Sequence, residues 1–216
     1  MTNERARRHI SGVTGLCAMT MVLGLLFDAG APAAAQAPLS YAQALQGLGH
    51  ADARQRFAAM VRLADVGTGA DANAVLPRLR DDDPVVRQFA VDLVWRLWGR
   101  SGDAAVDALY EQGVALMQTG ELAQAVQVFT DIIARRPAFA EAWNKRATLY
   151  FMLDQFDLSM KDCDEVLKRV PLHFGALSGY AQMLAGRGQP ERALQYLERA
   201  FQVNPNMVNA ELAIKD

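Results

Sequence analysis

Three prolines stand 34 residues apart and set the period of the second half of the chain: Pro137, Pro171 and Pro205. Ahead of each lie two stretches in which apolar residues recur at helical spacing, separated by QTGE, LDQF or GRGQPE. Because proline cannot continue a helix and restrains the residue before it, each one ends a helix and begins a turn. The period predicts three helix–turn–helix units. Their bounds are residues 106–137, 140–171 and 174–205.

Small residues recur at two positions in these units. The first position holds Gly113, Ala147 and Ala181, and the second holds Ala125, Ser159 and Ala193. Small side chains allow the two helices of a unit to approach closely, and larger neighbours then fill the seam between them. Trp143 takes one of the large positions and Cys163 lies on the same seam. We therefore expect both to be packing residues, Trp143 against the partner helix and Cys163 as a buried apolar side chain.

This pattern resembles the tetratricopeptide repeat (TPR), a 34-residue helix–turn–helix unit with the consensus W-x2-L-G-x2-Y…A-x3-F…P. The second unit carries Trp143, Ala147, Tyr150, Ser159 and Pro171 of that consensus. Gln112 and Arg146 depart from it, because they stand where the family prefers leucine. The resemblance implies an all-α fold, an α-solenoid of stacked repeats over residues 104–205, in which neighbouring units bury each other's apolar faces.

Residues 50–103 are also helical in pattern but do not keep the 34-residue period. The stretch Asp81–Ala90 resembles a HEAT-type repeat, and Asp83 and Pro84 are typical of a helix start. We expect this HEAT-like segment to cap the first end of the array, with Trp95 and Trp98 packed on the first TPR unit. The aspartates at 81–83 are expected to form a solvated run.

The first 37 residues are predicted to be a signal peptide. Basic residues precede an apolar run at 13–27, and small residues follow it, which indicates cleavage after Ala35 or Ala37. A retained membrane anchor is the alternative, although the run is shorter than a typical membrane-spanning helix. The mature chain is thus expected to be periplasmic or secreted, without a stable membrane anchor. Residues 38–49 are predicted to be a linker or short helix, and 206–216 a tail or partial capping helix.

Nothing in the sequence indicates catalysis. The net charge is −2 with no basic stripe, which argues against a nucleic-acid partner. His50 and His173 have no cysteine or histidine at metal-ligand spacing, and no glycine-rich phosphate loop follows a strand pattern. We expect no metal, no cofactor and no catalytic site, so the chain is predicted not to be an enzyme.

The resemblance implies instead a partner-binding groove on the concave face, lined by the first helix of each unit. The predicted groove residues are Tyr110, Val114, Met117, Asn144, Thr148, Phe151, Ser178 and Gln182. This set is neutral, so it suits an apolar segment of a protein or peptide partner better than a terminal carboxylate. The expected function is docking of such a segment, and the expected setting is envelope assembly. A self-associating structural solenoid and an accessory subunit of an envelope enzyme complex are the alternatives.

Overall fold

The structure, a computed structural model, describes residues 37–207. The predicted signal sequence up to residue 36 and the tail from residue 208 onward lie outside the described residues. Within 37–207 the chain forms ten α-helices and no strand, which confirms the prediction of an all-α solenoid fold. No helix in this range is long and apolar enough to span a bilayer.

Four helices precede the repeats. They are α1 (Tyr41–Gly47), α2 (Ala53–Val66), α3 (Ala72–Val75) and α4 (Pro84–Trp98), and short 3-10 turns at Gly69–Asp71 and Leu76–Arg80 flank α3. The start of α4 follows the sequence prediction, since the carboxylate of Asp83 accepts hydrogen bonds from the first free N–H groups of the helix. Ser40 and Gln43 form a capping box that starts α1. The segment 38–49 therefore contains a short helix.

Six helices form the three repeats. They are α5 (Ala104–Thr119), α6 (Leu122–Arg135), α7 (Ala140–Met152), α8 (Phe156–Arg169), α9 (Phe174–Gly186) and α10 (Pro190–Val203). The turn inside each repeat uses a left-handed residue at the same position, with φ of 82° at Gly120, 57° at Asp154 and 68° at Gly188. Glycine adopts this conformation freely and aspartate tolerates it. The break that the sequence shows in each unit is thus one turn conformation repeated three times.

The seam between the helices of a unit is packed as the sequence predicts. Gly113 faces the ring of Phe129 in the first unit, and in the second unit Ala147 and Cys163 belong to one apolar cluster. Cys163 is buried, and burial raises the pKa of its thiol to about 12. Trp143 is half-buried, and its indole N–H donates to the carbonyl of Pro137 at 3.0 Å. Trp143 is a packing residue.

The predicted solvated run is wrong at Asp81. This side chain is 4% exposed and forms a two-pronged ion pair with Arg56, with Nε–Oδ2 and Nη2–Oδ1 distances of 2.8 and 2.5 Å. Arg78 binds the same carboxylate at 2.9 Å. The guanidinium of Arg56 thereby joins α2 to the turn before α4, and it helps to hold the pKa of Asp81 below its usual range despite the opposing effect of burial.

The predicted packing of Trp95 and Trp98 on the first repeat is also wrong. Their rings lie against the start of the third repeat, where Trp98 stacks on His173 with 3.9 Å between ring centroids and Trp95 meets Phe174 edge-on at 5.0 Å. The N-terminal helices share an apolar core with Phe174 and Ala200 of α9 and α10. The apolar face of α4 thus packs against the far part of the repeat array.

Candidate partner-binding groove

A pocket between α7 and α9 brings four of the eight predicted groove residues together. Asn144, Thr148 and Phe151 line it from α7, and Gln182 lines it from α9. Its volume is about 90 Å³, enough for part of one side chain. Phe151, 37% exposed, stands at one edge, and its ring lies 5.6 Å from that of Phe156. The pocket therefore presents an aromatic edge beside hydroxyl and amide groups.

The α9 wall of this pocket contains glycine in place of larger side chains. A Cβ atom built on Gly179 would meet nothing within 4 Å, so open space lies above this residue. One helical turn earlier, the ring of Trp95 lies against Gly175, where a Cβ atom would come within 2.4 Å of it. Trp95 thus closes one end of the space between α7 and α9. Sequence analysis missed this contact because it comes from outside the repeats.

A second, larger cavity contains two more of the predicted residues. Tyr110 and Val114 line a space of about 520 Å³ between α4, α5 and α7. The remaining walls come from residues that were not predicted to line the groove: Trp95, Arg96, Gly99, Arg100, Glu111 and Lys145. The guanidinium and ammonium groups there make this cavity more cationic than the neutral groove that the sequence predicts.

Two of the predicted groove residues lie in the interior. Tyr110 is buried beside Phe129 and Phe139, and burial, with the nearby carboxylate of Glu141, raises the pKa of its phenol. Asn144 is buried as well, and its amide donates to both carboxylate oxygens of Glu141 at 3.2 Å. Both residues support the groove wall more than they offer a free surface.

Met117 and Ser178 complete the predicted set. Met117 is half-buried and packs on the apolar core of the first repeat. Ser178 is half-buried in α9. Neither side chain lines the two cavities that hold the other six predicted residues.

A buried polar network supports these walls from below. The carboxylate of Glu141 is 1% exposed and accepts hydrogen bonds from Nε2 of His173 at 2.9 Å and Nζ of Lys145 at 3.1 Å. Nδ1 of His173 accepts from the N–H of Ala176 and so caps α9. Burial acts to raise the pKa of Glu141, but its hydrogen bonds to His173 and Lys145 prevail and hold the pKa below its usual value.

This network is structural in character. His173 and Glu141 are both fully enclosed, and their hydrogen-bonding atoms are already satisfied within the fold. The described residues contain no group of three or more histidine, cysteine, aspartate or glutamate side chains arranged to hold a metal ion. The arrangement provides a concave, partly aromatic surface between α7 and α9.

The fold and this surface define a helical repeat protein of the class that mediates protein–protein interaction. The chain belongs to the tetratricopeptide repeat family, whose family model matches residues 63–138, 110–167 and 153–206, more than half of the chain. Members of this family generally act as non-catalytic interaction scaffolds. The first of these matches begins at residue 63, inside the predicted HEAT-like segment 50–103, so the family pattern extends further toward the N-terminus than the proline period.

Relatives in other organisms share the repeats. The chain is 32% identical over 126 residues to a TPR repeat-containing protein of Rhizobium etli, covering 58% of this chain and 62% of the relative. It is 30% identical over 89 residues to anaphase-promoting complex subunit 7 of Dictyostelium discoideum, covering 41% of this chain and 15% of that protein. The chain thus spans less than two thirds of the length of either relative.

Two solved structures are similar to this chain at low sequence identity. The first TPR of Spaghetti, bound to an HSP90 peptide, is 22% identical and covers 51% of this chain and 87% of its own, with a TM-score of 0.49. MamA from Desulfovibrio magneticus RS-1 is 20% identical and covers 70% of this chain and 81% of its own, with a TM-score of 0.47. At these values the likeness concerns the fold alone.

Proposed function

We propose that this chain is an exported, non-catalytic interaction module that docks a segment of a partner protein between α7 and α9. The observation that carries the proposal is the pocket in which exposed Phe151 adjoins Thr148 and Gln182 over the open surface at Gly179. An aromatic edge beside amide and hydroxyl groups suits an apolar side chain flanked by peptide groups that need hydrogen-bond partners.

The dimensions of the pocket support a short contact. A volume of about 90 Å³ accepts the end of one anchoring side chain and not a folded domain. Because Trp95 closes one end above Gly175, the docked segment enters from the side of Phe151. An apolar anchor seated against Phe151, with its flanking backbone bonded to Gln182 and Thr148, is the arrangement that we propose.

Export is part of the same proposal and rests on the basic, apolar and small-residue order of residues 1–37. The proposed location is the periplasm or the exterior, with a role in envelope assembly. Self-association and service as an accessory subunit of an envelope enzyme complex are the competing functions. A self-associating chain binds itself, whereas an accessory subunit co-purifies with an active enzyme complex. The following experiment identifies which proteins the purified chain binds.

The test compares a groove variant with a matched surface variant. The groove variant carries Phe151→Ala and Gln182→Arg, and the control carries Leu194→Ala and Gln195→Arg on α10. Phe151 and Leu194 are equally exposed at 37%, so the two variants remove similar apolar surface and add the same charge. The chains are expressed in a Gram-negative host and isolated from its periplasmic fraction, where mass spectrometry also shows where the leader ends. They are then used to capture proteins from envelope extract.

Docking predicts that one or more partners are held by the wild-type chain and by the control variant and are lost from the groove variant. Sedimentation of the three chains reports self-association, which would appear as a concentration-dependent increase in mass. Equal capture by both variants, or capture of the chain itself alone, would contradict docking between α7 and α9. Absence of the chain from the periplasmic fraction would contradict export. The three chains would then be purified from whole cells, so that the groove comparison is made in either case.

A further inference from the structure

A third cavity, separate from the groove, lies where the N-terminal helices meet the first two repeats. Its volume is about 420 Å³. It is lined by residues of the loops 68–70 and 100–102, by the start of α7 and by Trp98, Arg136, Arg169 and Val170. None of the predicted groove residues belongs to this lining, so the proposed docking function does not account for it.

The start of α7 faces this cavity without a capping side chain. Ala138, Phe139 and Ala140 line the space, and Phe139, in the N-cap position, has no side-chain oxygen or nitrogen to accept the first N–H groups of the helix. The first turn of a helix leaves such donors unpaired and carries a partial positive charge from the helix dipole. This end of α7 is therefore suited to a negatively charged or acceptor group.

An independent observation at the same cavity also indicates a missing acceptor. The indole Nε1 of Trp98 is the one buried side-chain nitrogen or oxygen without a hydrogen-bond partner among residues 37–207. The Trp98 side chain is 3% exposed, and the residue lines this cavity. Buried polar groups in folded proteins are normally hydrogen-bonded. An acceptor inside the cavity would supply the partner that the fold itself lacks.

The surrounding charges favour an anion as that acceptor. Arg100 donates only to main-chain carbonyls, those of Ala64 and Gly67 at 2.6 and 3.3 Å, and meets no carboxylate within ion-pair distance in the described part of the chain. Arg136 is 3.5 Å from the carboxylate of Asp103, and its side chain is 42% exposed. Each of these two guanidinium groups therefore retains donors for a further ligand.

The other two charged groups in the lining do not cancel this preference. Arg169 binds Glu165 and the carbonyl of Pro137 at the rim. The carboxylate of Glu141 also borders the cavity, but its oxygens already accept hydrogen bonds from His173 and Lys145. Three guanidinium groups thus surround the space, whereas the one lining carboxylate is already neutralised within the fold.

We propose that this cavity binds a small oxyanion, a phosphate or carboxylate group, between the start of α7, the indole N–H of Trp98 and the guanidinium groups of Arg100 and Arg136. Guanidinium and indole donors bind phosphate and carboxylate oxygens by the same hydrogen bonds. The site joins the end of α4 and the loop after it to the start of α7, so an ion bound there stabilises the junction between the N-terminal helices and the repeats.

The test follows the indole N–H of Trp98 directly. The ¹⁵N-labelled chain is titrated with inorganic phosphate in one experiment and with succinate in another, at constant ionic strength set by sodium chloride. The chain has three tryptophans, and the Trp98→Phe variant assigns the indole signal of Trp98. Trp143 serves as an internal reference, because its indole N–H is already bonded to Pro137.

The proposal predicts a saturable shift of the Trp98 signal with at least one of the two anions and no comparable shift with added chloride. Whichever of phosphate and succinate binds more tightly identifies the source of the oxyanion. The Arg136→Gln variant should weaken binding roughly tenfold, since it removes one charged donor from the site.

Arg135→Gln is the matched control. It is the neighbouring residue, at the end of α6, exposed and outside the cavity, so its removal lowers the overall charge equally and should leave binding unchanged. Equal weakening by Arg135→Gln and Arg136→Gln would show that only general charge attracts the ion and would overturn the site. The site would also be overturned if the Trp98 signal does not move with either anion at 10 mM, about ten times the dissociation constant of a weak millimolar ligand.

Discussion

At the scale of single residues, the repeats are held by paired volumes across the helix seam. A Cβ atom built on Gly113 would lie 2.7 Å from Cζ of Phe129, closer than such atoms approach in folded proteins. In the second repeat the same two positions hold Ala147 and Cys163, so a methyl group is present where the facing residue is smaller. Both partners of each pair are buried. The size of the side chain at this repeat position, Gly113 or Ala147, is therefore set by the residue that faces it.

Gly113→Ala is expected to lower the free energy of unfolding by about 1–3 kcal/mol, because the added methyl group overpacks against Phe129. The higher helix propensity of alanine offsets about 1 kcal/mol of this loss. Urea denaturation measures both terms together. Gly179→Ala is the matched control in α9, since a Cβ atom there meets nothing within 4 Å. It should raise the free energy of unfolding by a few tenths to 1 kcal/mol. If the two variants shift stability in the same direction, the seam is not packed as described.

At the scale of helices, one buried carboxylate joins three elements. Glu141 lies in the first turn of α7, its partner His173 caps α9, and the ring of His173 stacks on Trp98 of α4. The ion pair with Lys145 lies within α7 itself. A charge buried this deeply requires its partners, so the positions of α4, α7 and α9 depend on one another.

The lowered pKa of Glu141 gives this junction a pH dependence of known sign. Its unfolded value is about 4.5 and its folded value is lower, so the unfolded chain takes up a proton before the folded chain does. The stabilisation is present above about pH 4.5 and is lost as the pH falls through the folded pKa. We expect the unfolding free energy of the wild type to fall more steeply between pH 5 and pH 3 (roughly the carboxylate titration range) than that of Glu141→Gln.

The comparison of the two chains removes the contribution of all other carboxylates, because they titrate in both. At pH 7, Glu141→Gln should itself cost roughly 1.5–3 kcal/mol, the usual contribution of hydrogen bonds to a charged group. Identical slopes for the wild type and the variant would mean that the Glu141 carboxylate has its ordinary pKa in the folded chain. Chemical denaturation at a series of pH values gives both quantities.

The same elements show what sequence reasoning can and cannot reach. The 34-residue period predicts the helices of the repeats and the seam at Gly113, because both depend on neighbours within one unit. It does not predict that Trp95 reaches Gly175, since periodicity shows which face of α4 is apolar but not which distant helix covers it. For the same reason Tyr110, placed on the groove face by its repeat position, proves to be buried.

At the scale of the whole molecule, the array does not end in two free faces. The amide of Asn206 donates to the carbonyl of Leu79 at 2.8 Å, and Nη2 of Arg80 donates to the carbonyl of Gln202 at 2.5 Å. Ala200 of α10 lies in the core of the N-terminal helices. In an open solenoid each repeat contacts only its neighbours. Here the last helix contacts the first helices, so the described part of the chain closes on itself.

Because the last helix contacts the N-terminal helices, removing the contacts at the end of α10 is predicted to destabilise the N-terminal helices directly. In a variant carrying Arg80→Ala and Asn206→Ala, hydrogen exchange should become roughly three- to tenfold faster in α10 and in residues 72–98, as expected for a modest loss of local opening free energy. Exchange in α6, which lies between them in sequence, should stay unchanged. Arg192→Ala is the control, because Arg192 bonds only to nearby Gln189 and its loss should leave residues 72–98 as protected as before.

A nearest-neighbour array would respond differently to the same variant. Its loosening would spread from α10 to α9 and α8 before it reached α4, and α6 would lose protection no later than the N-terminal helices do. Faster exchange confined to α10 would therefore show that the two ends open independently and that the contacts of Asn206 and Arg80 do not stabilise the N-terminal helices. Joint loosening of α10 and α4 with an unchanged α6 is the pattern that only a closed array produces.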